Sequence, residues 1–184
     1  MKKSLSVICC YFLLFSITTA QNIPEKKLSV KKGLVTFLSK TSTFSFFGRG
    51  RKVKGTVDLT SKKFSFQFTL QSLTTGIKLR DEHMHENYLE SHTYPLATYE
   101  GTIVSFDEVT KTVTSKGKFY IHGIHKDNFT IESEFKKSKR SGYVLSSKFD
   151  LDLNDFNIKV PETLIFKLSR VLKIDIRMIL VGGS

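Results

Sequence analysis

Apolar and polar side chains alternate with a period of two through most of this chain, which leaves little freedom in what it can fold into. In "KFSFQFTL", Phe64, Phe66, Phe68 and Leu70 fall on one side, with Ser65, Gln67 and Thr69 on the other. "YVLSSKFDLDL" repeats the pattern through Tyr143, Leu145, Phe149, Leu151 and Leu153. "LKIDIRMIL" sets Leu172, Ile174, Ile176, Met178 and Leu180 against Lys173, Asp175 and Arg177. Successive strand residues point to opposite faces, so each segment has one apolar and one wet face. Weaker runs lie near 28–38, 53–60, 97–106, 112–122 and 129–136, between turn-like stretches such as "TSKK" and "KKSKRSG". That makes about eight strands. Short connections between them favour an antiparallel meander, closed as a barrel or stacked as a sandwich.

Two segments break the alternation. In "RDEHMHENYLE", Leu79, Met84, Tyr88 and Leu89 recur at roughly helical spacing, with Asp81 and Glu82 near the start, where helix-end amides favour negative charge. The spacing predicts a helix over about 80–90, and Pro95 prevents its continuation. In "PETLIFKLSRVL", Leu164, Leu168 and Leu172 follow Pro161 four apart, which predicts a short helix at about 161–170.

The first twenty residues read as an export signal: Lys2 and Lys3, an apolar run over 5–17, then Thr18-Thr19-Ala20. Cleavage after Ala20 leaves 21–184 as one domain, periplasmic or secreted. Both cysteines, Cys9 and Cys10, lie in the signal, so the mature chain has neither a disulfide framework nor a thiol nucleophile. The formal net charge of +12 is densest in "RGRKVK" (49–54) and "KKSKR" (136–140). Such runs are solvated loops or points of transient contact with an anionic membrane surface. Nucleic acid is not an expected partner, because the aromatic rings alternate with polar residues and point inward, away from any strand they might stack on.

The chain has sixteen phenylalanines and no tryptophan. Strand parity places Phe37, Phe64, Phe66, Phe68, Leu70, Phe119, Phe149, Leu151, Ile174 and Ile176 on inward faces. An eight-stranded barrel is either filled by its own side chains or holds one small ligand, and alternation alone is compatible with both. A hollow one offers a lipid tail a dry compartment worth ~0.8 kcal/mol per buried methylene. A filled one would act as a structural or interaction protein through its basic surface. The third reading is a metal-dependent enzyme around His83, His85 and His92. On a helix, residues two apart diverge, and the second histidine of an H-E-x-x-H pair is missing after His85-Glu86. No catalytic residue, metal site or enzymatic activity is therefore expected.

The stretch "SLTTGIKLRDEHMHENYLESHTYPLATYEGTI" resembles the YceI family of polyisoprenoid-binding, lipocalin-like periplasmic proteins. Its Arg80-Asp81, His83-Met84, Tyr88-Leu89 and Tyr94-Pro95 occur in the family's order. "KGKFYIHGIHK" and "FDLDLNDFNIKVP" are similar to two later family segments, and the resemblance covers about residues 26–181. It implies an all-β, extended eight-stranded antiparallel lipocalin-like barrel with a helix in the 80–90 connection. It also implies non-catalytic binding, storage or transport of an isoprenoid or similar long-chain lipid in an apolar tunnel, with no cofactor beyond such a lipid or a quinone. On this reading Met84, Tyr88 and Leu89 dock the helix, and Arg80, His83, Tyr88 and Tyr94 lie near a mouth where a head group would sit.

Overall fold

The computed structural model describes residues 27–40, 45–159 and 169–182. Among these, nine strands form one antiparallel sheet: β1 (Lys27–Lys40), β2 (Ser45–Gly50), β3 (Val53–Asp58), β4 (Lys63–Thr69), β5 (Leu96–Asp107), β6 (Thr112–Ile121), β7 (Ile124–Lys137), β8 (Tyr143–Asp152) and β9 (Val171–Gly182). Strands β3 to β9 pair in chain order, and β9 returns to β1 from Leu28↔Gly182 to Leu38↔Lys173, closing an eight-stranded barrel. The predicted signal (1–20) and most of the predicted second helix (161–170) lie outside the described residues.

Strand β2 is the ninth and was not expected from the alternation. It pairs with the second half of β1, from Val35↔Gly50 to Lys40↔Ser45, while β3 takes the first residues of the same edge. The two are collinear halves of one strand interrupted at Arg51-Lys52. On its far edge β2 exchanges two backbone hydrogen bonds with Thr74, both 2.9 Å. "SFFGRG" shows no apolar alternation because its buried positions after Phe46 are Gly48 and Gly50, where a Cβ would meet the rings of Phe37 and Phe68.

Three register shifts bend the wall, at Val30/Lys32 in β1, at Ile103/Ser105 in β5, and opposite Gly117/Phe119, where β7 carries an extra residue. Each reverses which parity faces inward. In β1 the even residues Leu28 and Val30 pack on the core before Lys31, and the odd residues Val35 and Phe37 do so after it. At the β7 bulge Asn128 has φ of 58°, a left-handed value that asparagine tolerates better than most residues.

The barrel has two unlike ends. One carries the tight turns β3–β4, β5–β6 and β7–β8. The other carries the β4–β5 connection, which contains a helix, α1 (Lys78–His83), continued by a π-type turn over Met84–Tyr88. The wider turn is closed by Leu89 N–H donating to Met84 O at 2.9 Å. The helix thus spans 78–88 rather than 80–90.

Candidate functional site

An elongated cavity of about 940 Å³ runs through the barrel from the helix end to the hairpin end. That is near the upper limit of ordinary small-molecule sites, roughly 300–1,000 Å³. The ten residues that parity placed inward, Phe37, Phe64, Phe66, Phe68, Leu70, Phe119, Phe149, Leu151, Ile174 and Ile176, all line it. The aromatic wall is continuous: Phe64 packs on Tyr99 with ring centroids 4.8 Å apart, and Phe119 stacks on Phe129 at 5.0 Å. Among the described residues, the ionisable lining groups sit at the ends, Arg80 and His83 at one and Lys62 at the other. The middle is apolar apart from hydroxyls and the Gln67 amide.

Those hydroxyls are the residues that sequence reasoning missed. Ser39, Ser115, Ser133 and Ser147 are all buried and all line the cavity. The signal was available, because each shares the parity of a neighbouring inward residue: Ser39 with Phe37, Ser115 with Phe119, Ser133 with Phe135, and Ser147 with Phe149. Ser115 Oγ–H donates to Ile131 O at 3.0 Å, and the Tyr99 hydroxyl donates to Phe129 O at 3.0 Å. Burial pushes the Tyr99 phenol above its ordinary range, so it stays protonated. Ser133 and Ser147 share one hydrogen bond of 2.7 Å. Two hydroxyls joined by one bond leave one O–H hydrogen over, at mid-barrel. Ser39, 2% exposed, has no hydrogen-bond partner for its hydroxyl among the described residues. The lumen is therefore greasy but not wholly free of hydrogen-bonding groups.

The helix end is built by a small polar lock. Asp81 accepts from Thr75 N–H at 2.7 Å, from the Thr74 hydroxyl at 2.6 Å and from the Thr75 hydroxyl. Burial alone pushes the Asp81 carboxyl upward, but these hydrogen bonds outweigh it and hold the group below the usual carboxylate range. The Arg80 Nε–H donates to Thr75 Oγ1 at 2.9 Å, and its guanidinium carbon lies 4.2 Å from the centre of the Phe46 ring. Thus α1 is tied both to the segment before it and to β2. Met84 and Leu89 are buried, Tyr88 is half-buried, and all three line the cavity, as do Arg80 and exposed His83.

Tyr94 departs from the expectation. It does not line the cavity but packs against His122, with ring centroids 4.8 Å apart, outside the barrel at the β6–β7 turn. Its even number gives it the parity of outward-facing Glu100, and Pro95 leads directly into β5. The histidines also separate. His85 Nε2–H donates to Leu73 O at 2.9 Å, leaving Nδ1 to accept from Ser91 Oγ at 3.1 Å, while His92 lies beside Gln71. Among the described residues, no three His, Cys, Asp or Glu side chains converge in a way that would hold a metal ion.

Comparison with solved structures places the barrel among similar ones. A polyisoprenoid binding domain from Saccharophagus degradans shares 14% identity with a TM-score of 0.69, over 85% of this chain and 98% of that one. Burkholderia cenocepacia BcnA shares 16% identity with a TM-score of 0.67, over 79% and 94%. The YCEI protein of Campylobacter jejuni shares 17% identity over 100% and 99%, with a TM-score of 0.51. No curated protein matches the chain. The family model of the YceI-like domain matches residues 27–180, nearly the whole described barrel, and the chain belongs to that family.

Proposed function

We propose that this barrel is a non-catalytic carrier that holds an isoprenoid or similar long-chain lipid along its lumen. The observation that carries the proposal is the continuous apolar cavity of about 940 Å³ whose ionisable lining groups, among the described residues, lie at its two ends. A hydrocarbon threaded through it gains ~0.8 kcal/mol per buried methylene without needing any directional contact. The name of the Saccharophagus degradans relative, a polyisoprenoid binding domain, supports the same class of ligand. With an export signal at residues 1–20, the carrier would work in the periplasm or outside the cell.

Native mass spectrometry of protein purified from its own cell envelope tests this reading. A co-purifying lipid mass is expected. Bare protein would favour a barrel that acts through its surface, and a stoichiometric metal would favour the histidine site.

The helix end is where a head group would meet the protein. Arg80 spends two of its donors on Thr75, the second from Nη2 to the Thr75 carbonyl at 3.3 Å, and keeps its charge at the cavity opening. Arg80→Ala is expected to weaken an isoprenoid diphosphate about ten-fold or more, the worth of a charge-assisted hydrogen bond. A neutral quinone should be affected much less. Equal losses in a titration of the two ligands would assign Arg80 to the polar lock alone.

A further inference from the structure

The lumen has two ends, and their surfaces differ in a way that a carrier function does not require. At the hairpin end, β4 stops pairing with β5 at Lys63↔Thr102, whereas β5 and β6 continue together to Asp107↔Thr112. The β5–β6 hairpin therefore overtops the β3–β4 turn as a prong, backed on its other edge by β7, which pairs with β6 as far as Thr112↔Glu134. Its apolar side chains face solvent: Val104 is 59% exposed, Phe106 46% and Val109, at the tip, 92%. The tip is held in shape, since Asp107 Oδ1 accepts from Val109 N–H at 2.8 Å and from Thr110 N–H at 3.1 Å. Val104 and Phe106 also line the cavity, so the prong forms part of its rim. Phe106 continues inward onto Phe135, which stacks on Tyr143.

Cations flank this prong. Lys62 and Lys63 lie in and after the β3–β4 turn, and Lys137, Lys139 and Arg140 end β7 and enter the next turn. Glu134 pairs with Lys136, and the carboxylates of Asp58, Asp107 and Glu108 are outnumbered by the cations around them. The helix end also shows exposed apolar residues, Phe47, Ile77 and Leu79, and cations of its own, Arg49, Arg51, Lys52, Lys54, Lys78 and Arg80, but α1 and the turn after it set Asp81, Glu82, Glu86 and Glu90 among them. An anionic surface is attracted more strongly to the first end, where Lys27 and Lys111 add to the cations already named.

We infer that the hairpin end docks on a phospholipid bilayer rich in anionic lipid, with Val109 and Phe106 entering the interface and the flanking cations seated on the head groups. Apolar side chains at a rim combined with cations around it are what interfacial binding uses. Docked this way, the hairpin rim of the cavity lies against the bilayer and the end at Arg80 faces away from it. The inference rests on the lipid-carrier reading and adds an orientation and a partner to it.

Flotation with vesicles tests it. Wild-type protein is expected to float with phosphatidylglycerol-containing vesicles and not with pure phosphatidylcholine, and to lose binding as salt rises. Val109→Asp should cut the vesicle-bound fraction at least ten-fold, while Phe47→Asp at the opposite end should leave it unchanged. The chain has no tryptophan, so Val109→Trp gives a lone indole whose emission should shift to the blue on anionic vesicles. No binding to anionic vesicles, wild-type binding by Val109→Asp, or equal loss in Phe47→Asp would each overturn the docking. Native mass spectrometry of the same samples keeps the two readings apart. A lipid mass without vesicle binding overturns the docking alone, and an empty lumen overturns the carrier reading on which the docking rests.

Discussion

A protein carrying both Val35→Trp and Ile176→Trp is expected to purify folded and without lipid. Val35 and Ile176 are directly paired across β1 and β9, and Ile176 is paired in turn with Ser147 of β8. All three line the cavity near mid-length. Two indoles at this point close the lumen by occupying space that is otherwise void, so the overpacking cost that large residues bring to a solid core is largely avoided. Ser147 on the neighbouring strand offers an indole N–H the acceptor it needs when buried. Denying a tail about ten methylenes of burial costs roughly 8 kcal/mol. At about 1.4 kcal/mol per decade, that exceeds a thousand-fold in affinity many times over. The check is the lipid mass per protein in native mass spectrometry, alongside circular dichroism to establish the fold. A blocked variant that still carried a full complement of lipid would place the ligand somewhere other than this lumen.

The largest loss of stability is expected from Gly117→Val. Gly117 sits opposite Gly101 across β5 and β6, and a Cβ on Gly117 would lie 2.1 Å from the Glu100 carbonyl oxygen. A Cβ on Gly101 would meet the Lys116 carbonyl oxygen at 2.2 Å. The obstacle is main chain, not a side chain able to swing aside, so the two strands must part close to the bulges at Ile103/Ser105 and Gly117/Phe119. Glycine here serves close approach rather than an unusual φ. The cost is expected at or above about 3 kcal/mol, the upper part of the range for overpacking. For a chain of this length that lowers Tm by roughly 6–12 °C. Gly76→Ala is the matched control: Gly76 has φ of 80° but nothing within 4 Å of its would-be Cβ, so only about 1–2 kcal/mol of backbone strain is expected. Thermal melts of the two variants separate the causes, and a Gly117→Val melt no lower than that of Gly76→Ala would refute the close-approach argument.

How much of this was legible beforehand depended on how local each signal was. Phe64, Phe66, Phe68 and Leu70 were legible because parity within one strand needs no tertiary information. Met84 and Leu89 were legible because helical spacing is local too. Strand β2 was not, because "SFFGRG" earns its strand conformation from backbone pairing with β1 and Thr74, which leaves no periodic mark. The position of Tyr94 was also hidden. A motif places it in order along the chain, but its side depends on β5 parity and on where the β6–β7 turn brings His122.

The sequence by itself determined the class of fold and the inward-facing rings, since both follow from residue spacing along one element. Tertiary structure alone decided that the rings leave a lumen instead of meeting, that buried serines interrupt its grease, and that an apolar hairpin tip stands among cations at one rim. Each of these is a relation between strands distant in sequence, set by bulges and barrel closure, and residue periodicity within a strand carries no record of it.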